Sequence, residues 1–301
     1  MVDLNYQNAD TNNDEGGYLI PDPLATEILG LIENASVCEP FLRDWPMTSL
    51  TEKINKLSTR PSAYWVSAEA GVKTKSEAKW TQLTLNAEEI AVIIPFTKRW
   101  LNNANINVIE YLKEEIVKAF VEKIDKTYLG YASDSPFSDS ISGNCPVAHT
   151  IAKGTYADIL ADLSEAMAKV EEDGYEVSGW AAPLSLKNYF RKLRDDENRP
   201  IFLPANGDSP DTLYGIPIRF SGNMVATGSP SKKEVICGDW KQALKATRED
   251  MSFDIQDTPT ITIGESTVNL WEKNMVALKA EAYKGFEIVD ANAFAKVTGW
   301  D

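Results

Sequence analysis

The sequence predicts an α+β fold, because its helical and strand-forming segments mix without the regular β-α-β alternation of a doubly wound sheet. Two observations lead to this class. One long amphipathic helix is predicted near the middle, at 107–131, and most of the chain after residue 200 consists of short strand-like runs punctuated by Pro and Gly. The predicted order is an arm, a long hairpin, the long helix, an α/β middle and a β return.

The composition is that of a water-soluble globular protein, with 43% hydrophobic and 25% charged residues in 301. No segment approaches the roughly 18 consecutive apolar residues of a membrane span, and the N-terminus lacks the features of a secretory signal. The cysteines, Cys38, Cys145 and Cys237, are odd in number and widely spaced. We therefore expect a reducing compartment, no disulfide scaffold and no membrane.

The net charge of −15 argues against a protein that grips nucleic acid, since phosphate contacts need a basic surface. It does not argue against enclosing DNA, because an acidic inner wall would repel packaged DNA and let it slide. The single histidine, His149, excludes a two-histidine metal site. A nucleophile pair with Cys145 stays open as an alternative, although a surface or loop-packing histidine is favoured. No metal ion and no cofactor are predicted.

Residues 1–17 are rich in Asn, Asp and Gly and have little to bury, so they predict an arm that needs a partner to become ordered. The run GGYLIPDPLATEILGLIE, from Gly16 to Glu33, then predicts a hinge, an extended piece and an apolar helix. Tyr18 and Leu19 are the candidate docking residues of this arm.

Residues 48–97 predict a long two-stranded hairpin whose tip has too few apolar residues to make a core. It is either a disordered insertion or a structure that lies on another subunit, and we favour the second. Trp65 and Trp80 flank the tip, and large aromatic side chains make good interface anchors. The tip also carries three candidate interface lysines, which are Lys73, Lys75 and Lys79.

Three helices are predicted from apolar periodicity, at 107–131, 155–173 and 184–194. The first starts at the cap Asn107 with Glu110 in its first turn, and the second at the cap Thr155. The apolar face of the first helix comprises Ile109, Leu112, Ile116, Phe120, Ile124 and Tyr128. The sequence WAAP predicts a short strand between the second and third helices, and a long strand is predicted from about Asn274 to Val289.

No nucleotide-binding glycine motif, P-loop, HExxH or EF-hand loop is present. The segment RKLRDDENR, from Arg191 to Arg199, mixes charges of both signs. It is either a solvated helix end or the rim of an interface where Arg191, Arg194 and Arg199 meet acidic residues of a neighbour.

The order of these elements resembles the major capsid protein family of tailed bacteriophages, the Hong Kong 97-like fold that encapsulin nanocompartments share. The resemblance covers nearly the whole chain. The matching regions are an N-terminal arm at 1–30, an extended E-loop at 48–97, a P-domain at 98–131 and 251–301 with the spine helix at 107–131, and an A-domain at 132–250.

The resemblance implies a structural protein, not an enzyme, that self-assembles into pentamers and hexamers of an icosahedral phage head around double-stranded DNA. One alternative is an encapsulin-type nanocompartment shell, although the N-terminal arm favours the phage because encapsulins usually begin with a helix. The alternative from another class is a small soluble hydrolase that uses Cys145 and His149.

The implied partners are further copies of the chain, a portal protein and a scaffolding protein, with a decoration protein as a further candidate. DNA is enclosed without sequence-specific binding. Only about fifteen residues precede GGYLIP. Either scaffolding is therefore a separate protein, or a scaffolding segment has been removed. The implied location is the virion capsid, assembled in the bacterial host cytoplasm.

The founding family member joins its subunits by isopeptide bonds between an E-loop lysine and a P-domain asparagine, assisted by a glutamate. In KNMVALKAE, Asn274 falls on the asparagine and Glu281 on the glutamate, seven residues apart on a predicted strand and thus on opposite faces. The position of the reacting lysine holds Gln82, which has no amine to supply. Lys79 lies three residues away, on the opposite face, so we expect an uncross-linked shell.

Overall fold

A computed structural model describes residues 22–59, 61–63, 65, 76–99, 108–156, 158–195, 197–205, 210–224, 233–248, 251–257, 260–263 and 266–300. The chain forms two compact units. The first comprises Met1–Leu31, Glu89–Ala119 and Asp250–Ala282, and the second comprises Ile32–Glu88, Phe120–Glu249 and Tyr283–Asp301.

The helices and strands confirm the α+β class. The helices are α1 Asp22–Ala35, α2 Val108–Leu129, α3 Ile141–Asn144, α4 Ile159–Glu172 and α5 Lys187–Lys192. The strands are β1 Arg43–Pro46, β2 Thr51–Thr59, β3 Lys79–Thr97, β4 Thr150–Ala152, β5 Gly179–Pro183, β6 Phe202–Leu203, β7 Thr212–Leu213, β8 Ile216–Ser221, β9 Lys233–Gly238, β10 Ala243–Thr247, β11 Ser252–Gln256, β12 Thr260–Ile263, β13 Ser266–Asn269, β14 Met275–Ile288 and β15 Phe294–Trp300.

The predicted long helix is α2, 22 residues in length. Its predicted apolar face is buried at Leu112, Ile116, Phe120, Ile124 and Tyr128, each at most 7% exposed. The helix therefore forms because a continuous apolar stripe is removed from water, as the 3.6-residue period requires. The predicted cap Asn107 lies outside the described residues.

A seven-stranded mixed sheet in the order β4-β15-β9-β5-β8-β7-β6 forms the centre of the second unit. Helix α4 buries Leu163, Ala166 and Val170 in the same core as Trp180 of β5 and Val235 of β9. The WAAP strand prediction is confirmed, because these residues lie in β5.

Helix α4 begins four residues later than predicted. Its N-cap is Asp158, whose carboxylate accepts the Ala161 amide at 2.7 Å. The predicted cap Thr155 instead donates its hydroxyl to the carbonyl of Ala152. The prediction was wrong because the turn before the helix is closed by the carboxylate of Asp162, which accepts the amides of Gly154 and Tyr156.

A six-stranded sheet follows the order β1-β10-β14-β3-β2, with β11 paired to β14 off this path. Three strands come very close at Gly285 of β14, where an added Cβ would lie 2.8 Å from the Asn86 carbonyl oxygen and 3.0 Å from the Ala246 Cβ. Only glycine fits this approach. In the first unit, β11 pairs antiparallel with residues 277–281 of β14.

The C-terminal strand β15 pairs with β9 and β4 of the seven-stranded sheet. The resemblance groups residues 251–301 with the P-domain, whereas β15 completes the sheet of the predicted A-domain. Strand partners this distant in sequence leave no local signal. The domain boundaries, including the assignment of residues 251–301, stay predictions.

Candidate assembly interface

Strands β2 and β3 form the predicted hairpin, with a regular register from Thr51–Asn86 to Leu57–Trp80. Alternate residues of the two strands point to opposite sides. We call the side that carries Glu52, Ile54 and Leu85 the inward face. The outward face carries four cross-strand pairs, Thr51–Asn86, Lys53–Thr84, Asn55–Gln82 and Leu57–Trp80.

The inward face fixes the base of the hairpin. Leu85 and Ala87 are buried in a small cluster with Met47 and Ala246, against which Ile54 packs. Apolar contacts therefore anchor the base of the hairpin, and only a few residues of β2 and β3 take part in them.

Glu52 adds polar ties next to this cluster. Its carboxylate accepts the Thr48 amide at 2.7 Å and the Trp45 indole N–H at 3.1 Å. The hydrogen bond from the Thr48 amide, followed by that from Trp45, lowers the pKa of Glu52.

The described residues of the outer half of the hairpin make no such contacts with the rest of the subunit. All described residues at positions 58–82 are exposed, among them Trp80 at 67% and Trp65 at 100%. Trp80 faces the half-buried Leu57 across the strands. Two exposed tryptophans, one on β3 and one beyond the end of β2, are typical of a surface that binds another protein.

Charge distinguishes this hairpin from the rest of the chain. Residues 48–82 hold six Lys and Arg against three Glu, a local charge of +3 in a chain of net −15. The hairpin is therefore complementary in charge to the remainder of another copy of the same chain.

The candidate cross-linking residues do not come together within one subunit. Asn274 is exposed and lies in the turn before β14, with a φ of 51°. The strand predicted from about Asn274 begins one residue later, at Met275, so Asn274 lies in the preceding turn and not in the same strand as Glu281. Seven residues separate the two, roughly 20 Å of strand, which is beyond side-chain reach.

Glu281 is already engaged in this subunit. Its carboxylate contacts the Lys279 ammonium at 2.8 Å and accepts the Ser252 hydroxyl at 3.0 Å. The hydrogen bond from Lys279 lowers the pKa of Glu281, which makes it a weak general base. Lys79 and Gln82 are both exposed on β3, on opposite faces as predicted.

The basic segment after α5 satisfies much of its own hydrogen bonding. Arg199 contacts Asp195 at 2.7 Å and Glu197 at 2.8 Å, and Arg194 donates to the carbonyls of Arg191 and Leu193. All three arginines are exposed, so a role at an interface rim stays a prediction. The arm residues Tyr18 and Leu19 and the lysines Lys73 and Lys75 lie outside the described residues.

Cys145 and His149 do not form a nucleophile pair. The imidazole Nδ1 is 3.0 Å from the Phe294 carbonyl oxygen and Nε2 is 3.3 Å from an Asp173 carboxylate oxygen. Burial raises the pKa of the Cys145 thiol to about 11. His149 therefore packs a loop, which is the interpretation that the sequence favoured.

A buried carboxylate at the end of α1 was not predicted from the sequence. Asp125 of α2 is fully buried and accepts hydrogen bonds from the Ser36 hydroxyl at 2.6 Å, the Val37 amide at 3.1 Å and the Cys38 thiol at 3.2 Å. A signal was available, since Asp125 follows the apolar stripe residue Ile124 and precedes Tyr128 by one turn. A charge within the stripe indicates a paired, buried group.

The described residues include no group of three or more His, Cys, Asp or Glu side chains placed to hold a metal ion. Within the same part of the chain, no helix is both long and apolar enough to cross a membrane.

The sequence profile of the phage capsid family matches residues 16–299 of this chain. The chain belongs to the phage capsid family. It is 28% identical over 261 residues to the major capsid protein of Staphylococcus phage 80alpha, covering 85% of this chain and 77% of that protein. It is 26% identical over 298 residues to the probable major capsid protein gp17 of Mycobacterium phage D29, covering 94% and 90%.

A solved structure from Microbacterium phage Oxtober96 superposes on this phage capsid family member with a TM-score of 0.69 at 25% identity, covering 87% of this chain and 90% of that one. These comparisons confirm the predicted family, the Hong Kong 97-like α+β fold and the structural capsid role. The β2–β3 hairpin of this capsid protein lies within the region 48–97, where the resemblance placed the E-loop.

Proposed function

We propose that this capsid protein is the major capsid protein of a tailed phage, and that it assembles into the pentamers and hexamers of an icosahedral head around double-stranded DNA. The observation that best supports this assembly is the structure of the β2–β3 hairpin. Its base is anchored on its own subunit, whereas its outer half exposes Trp80 and Trp65.

Burial of these rings on a neighbouring subunit would drive association. A tryptophan that loses most of its exposed surface contributes on the order of 3 kcal/mol by area. Only part of that appears as affinity, because association costs translational and side-chain freedom. A shell multiplies each contact over many subunits, so modest contacts suffice.

Charge supports the same arrangement. A hairpin of local charge +3 is attracted to a second subunit whose remaining surface is strongly acidic. The same acidity disfavours tight DNA binding, so we propose that DNA is enclosed without sequence-specific contacts.

We place the protein in the virion capsid, after assembly in the bacterial host cytoplasm. Its partners are then further copies of itself, with portal and scaffolding proteins as separate chains and a decoration protein as a further candidate. In this proposal residues 1–30 serve as the arm, 48–97 as the E-loop, 98–131 with 251–301 as the P-domain that contains the spine helix, and 132–250 as the A-domain.

The test is self-assembly of the purified full-length chain, followed by sedimentation velocity and negative-stain electron microscopy at tens of micromolar protein. We expect pentamers, hexamers or closed shells, in proportions that change with salt and pH. A monodisperse monomer under all these conditions would contradict the proposal.

A further inference from the structure

The carboxylate of Asp290 joins three segments of the second unit. Its Oδ2 accepts the Tyr175 hydroxyl at 2.7 Å and lies 3.4 Å from the Lys56 ammonium, and its Oδ1 accepts the Asn292 amide at 3.1 Å. Lys56 also donates to the carbonyl of Val289. A residue of the hairpin strand β2 is thereby tied to the segment between β14 and β15.

The residues that Lys56 contacts are themselves held in place. Val289 donates its own amide to the Gln242 carbonyl at 2.7 Å, and Asp290 caps the 3-10 turn Ala291–Ala293. Tyr175 lies three residues after the end of α4, and its amide donates to the carbonyl of Val170 in that helix. Lys56 therefore attaches the hairpin to backbone that has little freedom to move.

The junction is partly shielded from water. The side chains of Lys56 and Asp290 are 29% and 27% exposed. Such a pair, in which the ammonium makes a second bond to a backbone carbonyl, is stronger than an exposed ion pair.

Lys56 lies at the point where the regular pairing of the hairpin ends. The register is regular up to Leu57–Trp80 and shifts between Leu57 and Thr59, which marks a bulge. Lys56 is the last inward-facing residue before that bulge. A bulge bends a strand and interrupts its pairing, so the fixed base ends and the free end begins at this point.

We propose that Lys56, Asp290 and Tyr175 are positioning residues that fix the base of the β2–β3 hairpin up to the bulge and so set the direction in which Trp80 is presented to a neighbouring subunit. The second part rests on the proposed shell function. Strand β2 is the edge strand of its sheet. Without the junction it is held by its pairing with β3, by the small cluster at Leu85 and by the ties of Glu52, and both the cluster and Glu52 lie nearer the base than Lys56.

The junction has a defined pH range. Burial alone would raise the pKa of Asp290, but the hydrogen bonds from Tyr175 and Asn292 and the charge of Lys56 more than offset it, so this pKa lies below the ordinary value. A carboxyl group with a lowered pKa contributes stability above its unfolded pKa, near 4, and loses it as the pH falls through the folded value. The junction is therefore intact at neutral pH.

The test is hydrogen–deuterium exchange of the full-length subunit, measured at a concentration too low for assembly. In Lys56→Met, amides of residues 51–57 and 80–86 should exchange about tenfold faster than in the wild type, as expected for the loss of a charged hydrogen bond. Tyr175→Phe and Asp290→Asn should give smaller increases in the same peptides, and Lys56→Arg should restore part of the protection.

The matched control is Lys53→Met, which changes an exposed residue on the outward face of the same strand and should leave exchange unchanged. Wild-type exchange in Lys56→Met, or equal acceleration in Lys53→Met, would overturn the proposal. A second readout is shell yield, which should fall further in Lys56→Met than in Lys53→Met, since both substitutions remove one positive charge and only the first breaks the junction. If Lys56→Met exchanges faster but still forms normal shells, the junction does not set the direction in which Trp80 is presented. If the wild-type chain forms no shells, the proposed function is contradicted, while the exchange result still tests the junction.

Discussion

Leu57 and Trp80 face each other across the β2–β3 hairpin and form the last regular pair before the register shifts. This pair stands on the outward face, directly beyond the inward tie of Lys56 to Val289 and Asp290. The anchored part of β2 therefore ends at Lys56, and the exposed part begins just after the next residue, Leu57.

Replacement of Trp80 by Ala should impair assembly more than folding, because the ring is 67% exposed in the subunit and we expect a neighbour to bury it. Each subunit contact should weaken by about 2 kcal/mol, roughly 30-fold in affinity. Light scattering measures assembly and thermal unfolding measures the subunit, and Trp80→Phe is the conservative control that should retain most of the assembly. If Trp80→Ala assembles normally but its subunit melts earlier, the ring acts within its own chain.

Replacement of Asp125 by Ala should destabilise the subunit by about 3 kcal/mol, since it leaves the Val37 amide and the Ser36 hydroxyl buried without their acceptor. Urea unfolding measures this. The control is Asp134→Ala, which removes an exposed ion pair with Lys123 and should leave the stability nearly unchanged. Equal effects of the two substitutions would show that the buried network does not stabilise the fold.

We expect Glu287 to change the stability of the subunit with pH in the opposite direction to Asp290. Burial, followed by the nearby charge of Asp139, raises the pKa of Glu287 to about 7. The folded state then holds a proton that the unfolded state has lost, so this group's contribution to stability is full at acidic pH and declines as the pH rises from about 4.5 to about 7.

Glu287→Gln should therefore make the subunit more stable at pH 8 and leave it nearly unchanged at pH 5. We expect a gain of about 1 kcal/mol, a figure reduced for the partial exposure of the group. Urea unfolding at the two pH values measures the change. A loss of stability at pH 8 would mean that the Glu287 carboxylate is stabilised by a partner in its ionised form.

The α+β class, helix α2 and strand β14 could all be predicted from sequence because apolar periodicity records which side of an element is buried. The start of α4 could not, since the side chain of Asp162 competes with Thr155 for the preceding turn. The placement of β15 and the ties of Lys56 could not be predicted either. They depend on contacts between residues more than 50 positions apart in the chain, for which one sequence carries no signal.

Assembled shells should dissociate completely in boiling denaturant to a single band near 33.4 kDa, the mass of the chain. Gln82 offers no amine, and Glu281 is held as an ion pair with Lys279. Denaturing gel electrophoresis of purified shells tests this. A ladder of heavier bands that is lost in Asn274→Asp or Lys79→Arg shells would show that the protein cross-links itself.

In the assembled shell, we expect the outer half of the hairpin to pack against the surface of a neighbouring subunit. Electron cryomicroscopy of shells assembled from the wild-type chain tests it directly. We expect density for the β2–β3 hairpin that crosses onto an adjacent subunit, with Trp80 buried there and Lys56 still in contact with Asp290 of its own chain. Shells in which Trp80 remains exposed to solvent, or packs against its own subunit, would contradict it.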